Sequence, residues 1–399
     1  MVRNNIKVTH ILIHSVYQMM ATIVYGFGIY MLLERGYSAS VAGICFSLVN
    51  LFSLVVTPFI SNYLDNTDRI TIIDLIIVSS ILVVVLYVIN YFLDTKSMLL
   101  SIVFIIGNGI FVTLDPFINA VSSKMATYGI ETSFTTARSA GSISYGIMCA
   151  LFGYISSKAS YLSVIIGGLI FSFVLFILGL IINKQYKEIR NNSPEVKEEK
   201  EELISFKEFI ANNISFFILI IFLVGIYIGF TATDNLMLLV TENVGGTSKD
   251  MGYLLAYKAI FEGLAMMSFP FVLKRIKLEK ILYLAAIGFV IKQLIITLAP
   301  NVFFLYIGQT FQMMSFSFMI PGMIEFVNRY LKKREIIRGV SMTSLAIGVG
   351  SVISSTIGGY IIDIYSVGSM NMFSLLITII SAIGFCITIK AKYRNNTIS

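Results

Sequence analysis

Apolar residues run along this chain in twelve stretches, separated by short polar turns and, once, by a long charged segment. The stretches read as helices over residues 8–33, 40–63, 71–93, 97–121, 136–157 and 161–183, then 214–240, 250–273, 280–299, 302–328, 339–362 and 370–390. Crossing hydrocarbon takes roughly 20 apolar residues of helix, because every backbone N–H and C=O must be satisfied inside the segment. The pattern predicts an all-α polytopic membrane protein with twelve transmembrane helices in two six-helix pseudo-repeats. An N-terminal bundle covers 1–183, a linker 184–213 and a C-terminal bundle 214–399. The linker mixes both signs of charge and reads as a solvated connector, with EVKEEKEEL a candidate surface helix.

Composition sharpens this picture. Hydrophobic residues make up 57% of the chain and charged ones only 13%, so its segments could not be solvated as a soluble surface. Lys and Arg are distributed unevenly. Arg3, Lys7, Arg69, Lys124, the basic residues of 184–207, Lys274, Arg275, Lys277 and Lys280 fall on one side, with Arg329, Lys332, Lys333, Arg334, Arg338, Lys390, Lys392 and Arg394. The other side keeps Arg35, Lys96, Lys158 and Lys249. By the positive-inside rule both termini are expected in the cytoplasm, at the plasma membrane. The net charge of +7 then needs no nucleic-acid partner; basic loops facing anionic lipid heads account for it. Cys45, Cys149 and Cys386 lie inside apolar spans without metal or disulfide spacing, and the first span lacks a signal-peptide cleavage pattern. No cofactor or metal is expected, and nothing in the pattern asks for more than a monomer.

Two six-span halves are a common build for secondary transporters, in which solute binds near the midplane between the halves and their rocking alternates access. Charges inside such spans are costly and mark candidate sites. Asp115 and Asn119 sit one turn apart in the fourth span and Arg138 opens the fifth. An Asp115–Arg138 pair would hold a guanidinium free to bond a hydroxylated or anionic solute; a purely structural ion pair is the competing reading. In the second half, Glu262 and Lys292 fall at similar depth in the eighth and ninth spans, and Lys258 is within reach of Glu262 or Asp234. These four are the candidate proton-coupling groups, against a fixed salt-bridge cluster as the plainer alternative. His10, His14 and Gln18 share one face of the first span, but two His without a third ligand make a poor metal site. Tyr145, Gln309 and Gln312 put hydrogen-bonding groups mid-span, and small residues crowd the fifth and eleventh spans, where helices can approach closely.

The runs DPFINAVSSKMA and TTARSAGSISYG resemble the fourth and fifth helices of the lactose-permease branch of the major facilitator superfamily, the oligosaccharide/nucleoside–proton symporter relatives. The resemblance implies a major facilitator fold. It sets Arg138 at the sugar-binding Arg, Tyr145 at the stacking aromatic and Asn119 at the acidic position, with Asp115 a turn away. MGYLLAYKAIFEG resembles the branch's eighth helix, matching Glu262 to its Glu; Lys292 falls at a ninth-helix Arg and Asp234 near a seventh-helix Asp. SNYLDNTDRI, with Asp65, Asp68 and Arg69, resembles the superfamily's signature turn without its usual glycine. In IGQTFQMMSF the branch's proton-relay positions are occupied by Gln312 and Ser315, neither of which titrates near neutral pH. The implied function is uptake of a small polar solute, a sugar or nucleoside, coupled to protons. An exporter of drugs or metabolites is the rival within the fold, although the fifth span lacks the proline of exporter motifs. A non-transporting sensor is a more distant one, and an enzyme is disfavoured because no nucleophile–base pair or phosphate loop is present.

Overall fold

A computed structural model describes residues 2–67, 70–93, 96–128, 130, 132–192 and 205–392. Helices account for almost all of them, and each of the twelve expected spans coincides with helix. The first span is α1 (Val2–Ala21), a π-helical turn (Thr22–Gly26) and α2 (Gly28–Leu33). The next are α3 (Ala39–Asp65), α4 (Ile72–Phe92), then α5 (Met98–Thr113) with α6 (Asp115–Ala126), α7 (Phe134–Ser156) and α8 (Leu162–Asn192). After a short α9 (Phe206–Asn212) come α10 (Ile214–Asn235) with α11 (Met237–Asn243), α12 (Ser248–Arg275) and α13 (Leu278–Thr297). α14 (Val302–Thr310) and α15 (Phe316–Tyr330) form the tenth span, followed by α16 (Ile336–Ile364) and α17 (Val367–Lys392).

Side chains set where these helices begin. Ser38, Ser97 and Ser133 each accept a hydrogen bond from a first-turn N–H, and Thr71–Asp74 and Thr247–Asp250 form reciprocal capping boxes. Gly36 and Gly245, both at φ +81°, make the left-handed turns that lead from the first to the second span and from the seventh to the eighth. Arg35, beside the first of these, donates to the Asn90 side chain at 2.7 Å and its carbonyl at 3.0 Å, and lies over the Tyr161 ring at 4.6 Å. One buried cation thereby clasps three connections of the first half.

Nine of the spans are long and apolar enough to cross a membrane by length and composition. The three that fall short are the first, fifth and tenth, and each has a visible reason. The first is interrupted by its π turn, and α7 carries the polar run TTARSAGSIS. The tenth breaks at residues 311–315, where Gln312, Met313 and Met314 make tight i→i−3 bonds.

The chain divides into two compact units, Met1–Glu199 and Lys200–Ser399. Each has the same internal packing plan. In the first, α1 lies on α7 and α8, α4 on α8, and α5 on α3 and α4. In the second, α10 lies on α16 and α17, α13 on α17, and the α14–α15 span on α12 and α13. The pseudo-repeat read from span count thus recurs as a repeat of helix contacts. The boundary between the units falls within the expected linker of 184–213, and helix enters that segment from both sides. α8 runs to Asn192 with Tyr186 buried against Tyr128, their hydroxyls 3.1 Å apart, and Phe209 of α9 joins the core of the second unit. The EVKEEKEEL segment, Asp68 and Arg69 lie outside the described residues, as does the side chain of Asp65.

Large apolar side chains such as Phe59, Phe92, Met98 and Phe271 stand exposed, as a lipid-facing surface requires. Inside, close approach relies on small residues. A Cβ on Gly141 of α7 would meet Gln18 at 2.8 Å and the His14 carbonyl at 3.1 Å. A Cβ on Gly350 of α16 would come within 2.8–3.2 Å of Tyr227 and the Ile228 nitrogen on α10. Because that neighbour is backbone, Gly350→Leu is expected to lower unfolding stability by about 1–3 kcal/mol or more. Gly263→Leu, in open space, should be neutral; thermal unfolding of the detergent-solubilised variants checks both.

Candidate functional site

In the first unit the polar face is built at the break of the fourth span. Pro116 supplies no N–H, so α5 stops and α6 starts afresh with Asp115 in its first turn. The Asn119 side-chain amide donates to Asp115 Oδ2 at 3.2 Å. Tyr17 of α1 and Arg138 of α7 act electrostatically on the same carboxylate. The expected contact between Asp115 and Arg138 does not form. Among the described residues no ion pair within 4.0 Å joins them, since Asp115 is half-buried while Arg138 is exposed one turn into α7. Its guanidinium has no hydrogen-bond or ion-pair partner among those residues. Tyr145 is half-buried on α7, and its carbonyl lies 3.4 Å from the Thr22 hydroxyl of the π turn.

His10 and His14 are buried, with ring centroids 4.9 Å apart in an edge-to-face arrangement. Among the described residues, neither His10 nitrogen nor His14 Nε2 has a hydrogen-bond partner. Among the described residues no group of three His, Cys, Asp or Glu could hold a metal ion.

The second unit holds a connected set of charges. Lys258 of α12 chooses Asp234 of α10 and not Glu262, with Nζ 2.7 and 2.9 Å from the two carboxylate oxygens. The pair is largely enclosed, its side chains 9% and 18% exposed. Glu262 and Lys292, expected as direct partners, are joined through Gln312. Lys292 Nζ donates to Gln312 Oε1 at 2.7 Å, and Gln312 Nε2 donates to Glu262 Oε2 at 3.1 Å. The amide carries its oxygen towards the ammonium and its nitrogen towards the carboxylate, an orientation that satisfies both charges. Lys292, only 1% exposed, also lies over the Phe230 ring at 4.6 Å.

Local backbone explains why Gln312 reaches so far in. It sits in the break of the tenth span, where Ser315 returns its hydroxyl to the Phe311 carbonyl and Ser317 to that of Gln312. Gly288, one turn before Lys292 on α13, lets that irregular backbone lie close: a Cβ there would be 3.1–3.3 Å from Ser315 N and Cα and Met314 C. Ser315, expected at a relay position, is thus occupied in its own backbone, and Gln309 is buried with its amide nitrogen 3.9 Å from Met237 Sδ.

Several participants escaped the sequence. Tyr17 follows His14 by three residues, which puts it beside the polar face of the first span. Gln293 next to Lys292 donates to the Gly229 carbonyl and bonds Thr233, and Asn235 donates to Ser351 and Ser355 at 2.9 and 2.8 Å. Their signal was an amide inside an apolar span, the same signal that singled out Gln312.

Removing one member of a buried ion pair strands the other. Lys258→Met alone should destabilise the protein by roughly 3–5 kcal/mol, and Lys258→Met with Asp234→Asn should recover most of that loss, as read by thermal unfolding. Gln312→Leu should cost about 1–3 kcal/mol, because two charges each lose a hydrogen bond.

The MFS_1 like family matches residues 9–374. No curated protein matches the chain in sequence. Among solved structures, that of the nucleoside transporter NupG is 14% identical with a TM-score of 0.81, covering 97% of this chain and 100% of that one. A bacterial homologue of the iron transporter ferroportin, in an inward-facing state, is 13% identical with a TM-score of 0.69 over 96% and 98%. A bacterial homologue of the human lysosomal transporter Spinster is 11% identical with a TM-score of 0.68 over 98% and 97%. At such identities the likeness is one of fold. The chain belongs to the MFS_1 like family and has the major facilitator fold, that of membrane transporters and not of enzymes.

Proposed function

We propose that the protein is a secondary active transporter that takes up a small polar solute, a nucleoside or a sugar, by alternating access and with proton coupling. The observation that carries this reading is Arg138, an exposed guanidinium that acts electrostatically on Asp115 and makes no side-chain hydrogen bond or ion pair within 4.0 Å among the described residues. A cation within a span is costly without an acceptor, and five N–H donors in a planar fork suit hydroxyls and carbonyls of a solute. Asp115 and Asn119 border it, Tyr145 offers a ring for stacking on the same helix, and Gln312 stands among the solute-facing candidates of the second unit. NupG, whose fold this chain shares, transports nucleosides, which favours that class of cargo. The Lys/Arg distribution supports a plasma-membrane orientation with both termini cytoplasmic.

For coupling, Glu262 is the assigned proton carrier. It is a carboxylate inside a span held by a neutral amide, so protonation would release Gln312 and leave Lys292 to be answered elsewhere. Asp234 and Lys258 hold the neighbouring framework. Gln312 and Ser315 do not titrate near neutral pH and take no proton themselves.

A panel of nucleosides, sugars, carboxylates and lipophilic cations, screened by thermal shift on purified protein, tests the cargo, since a ligand of the native state raises the melting temperature. Nucleosides or sugars should shift it, and Arg138→Ala should weaken the shift by about 10- to 100-fold in concentration while leaving membrane insertion intact. Shifts from lipophilic cations alone would make the protein an exporter. In proteoliposomes Glu262→Gln should still exchange labelled solute but no longer accumulate it; undiminished uphill uptake removes Glu262 from the coupling step.

A further inference from the structure

The turn between α12 and α13 forms a cleft of about 630 Å³ lined by Arg275, Ile276, Lys277, Lys280, Tyr283 and Leu284. Its chemistry is divided. Arg275, Lys277 and Lys280 are all exposed at its rim, whereas Tyr283 and Leu284 make its inner wall apolar. Lys274 adds a fourth exposed cation beside it. The one nearby carboxylate, Glu279, is turned away, accepting a hydrogen bond from the Tyr330 hydroxyl of α15. Among the described residues, Arg275, Lys277 and Lys280 therefore have no ion-pair partner.

What lies below the turn decides the kind of anion. Lys280, Leu284, Ile287, Ile291 and Leu294 recur at alternating steps of three and four, and so share one face of α13, with Lys277 just before the helix and Leu298 just after it. Burial divides the helix along that line. Leu284, Ile287, Leu294 and Leu298 are exposed, whereas Leu282, Ala285, Phe289 and Ile296 of the other face are in the core. On α12, Ile260, Leu264, Met267 and Phe271 make a second exposed apolar face that ends at Arg275. The two helices pack mainly on other partners, α12 on α14 and α15, α13 on α15 and α17. A lipid-facing apolar wall therefore runs directly into a basic cleft at the membrane surface. From Lys280 to Ile287 is about 10 Å of helix, within the reach of an acyl chain in one leaflet of hydrocarbon roughly 15 Å deep.

We propose that this cleft is a binding site for an anionic phospholipid. Arg275, Lys277 and Lys280 hold its phosphate, and its acyl chains lie along Leu284, Ile287 and Phe271. A guanidinium and two ammonium groups match a phosphodiester oxygen set, and a neutral zwitterionic headgroup would bring its own cation into a site already crowded with them. The site is independent of the solute pathway and of the coupling groups.

The chain contains no Trp, so a single introduced one reports on its own surroundings. Leu284→Trp protein, reconstituted in phosphatidylcholine vesicles, is titrated with brominated phosphatidylglycerol or brominated phosphatidylcholine at fixed ionic strength, and Trp quenching is read. Half-maximal quenching is expected at a mole fraction at least about fivefold lower for the anionic lipid, about the effect of one surface cation. Adding Arg275→Gln, Lys277→Gln and Lys280→Gln should bring the ratio to about one, while Arg275→Lys should largely keep it. Leu298→Trp, at the far end of the same face, should show a ratio of about one throughout. Equal quenching by both lipids at Leu284→Trp, or a preference that survives the triple substitution, overturns the site. Loss of the preference in millimolar glycerol phosphate would assign the cleft to a soluble phosphate ester and overturn the lipid.

Discussion

Hydrocarbon supplies no partner for a charge, and the interior of this protein is organised around that constraint. In the second unit four charged groups within the spans, Asp234, Lys258, Glu262 and Lys292, are met by other parts of the unit. Lys258 and Asp234 meet directly, and Glu262 and Lys292 through one amide. Satisfying Lys292 demands a partner from the tenth span, and that partner comes within reach only because the span breaks at 311–315 and Gly288 lets the break lie close. Backbone irregularity and charge satisfaction are thus one feature. The first unit meets the constraint differently: Asp115 is shared among Asn119, Tyr17 and Arg138, and among the described residues the guanidinium donates no hydrogen bond.

The spans that depart most from a plain apolar helix each carry a part of the polar interior. The first, fifth and tenth fall short of the length or hydrophobicity needed to cross unaided. They hold His10, His14 and Tyr17, then Arg138 and Tyr145, then Gln312. Local rules of helix and hydropathy give way where a polar group is needed, and neighbouring helices supply the missing stability. The shared packing plan of the two units makes the contrast sharper. α1 and α10 occupy the same place in their units, yet α10 is almost wholly apolar up to Thr231 whereas α1 is polar along one face.

Span number, the halved organisation and the identities of most charged candidates were legible in the sequence, because apolar length and in-span charge are both local properties. Contact partners were not. Depth along a helix put Glu262 level with Lys292, but depth does not specify rotation about the axis, and Gln312 occupies the space between them. Similarly, Lys258 had two carboxylates in range, and which one it met depended on how α10 packs beside α12. The break at 311–315 has no Pro or Gly to announce it. It follows from packing against α13, which the sequence of the tenth span does not contain. Charge alone does not show that packed helix, with Tyr186 and Phe209, extends into the connecting segment from both sides.

The arrangement around Gln312 also has an electrical meaning. With Asp234 and Glu262 both ionised and Lys258 and Lys292 both protonated, two negative charges meet two positive ones and the amide adds none, so that state of the cluster sums to zero. Displacing one net charge through a potential of 100 mV takes about 2.3 kcal/mol, and a neutral cluster moved as a body feels none of it. Voltage across the membrane therefore has no grip on these buried groups while they stay paired.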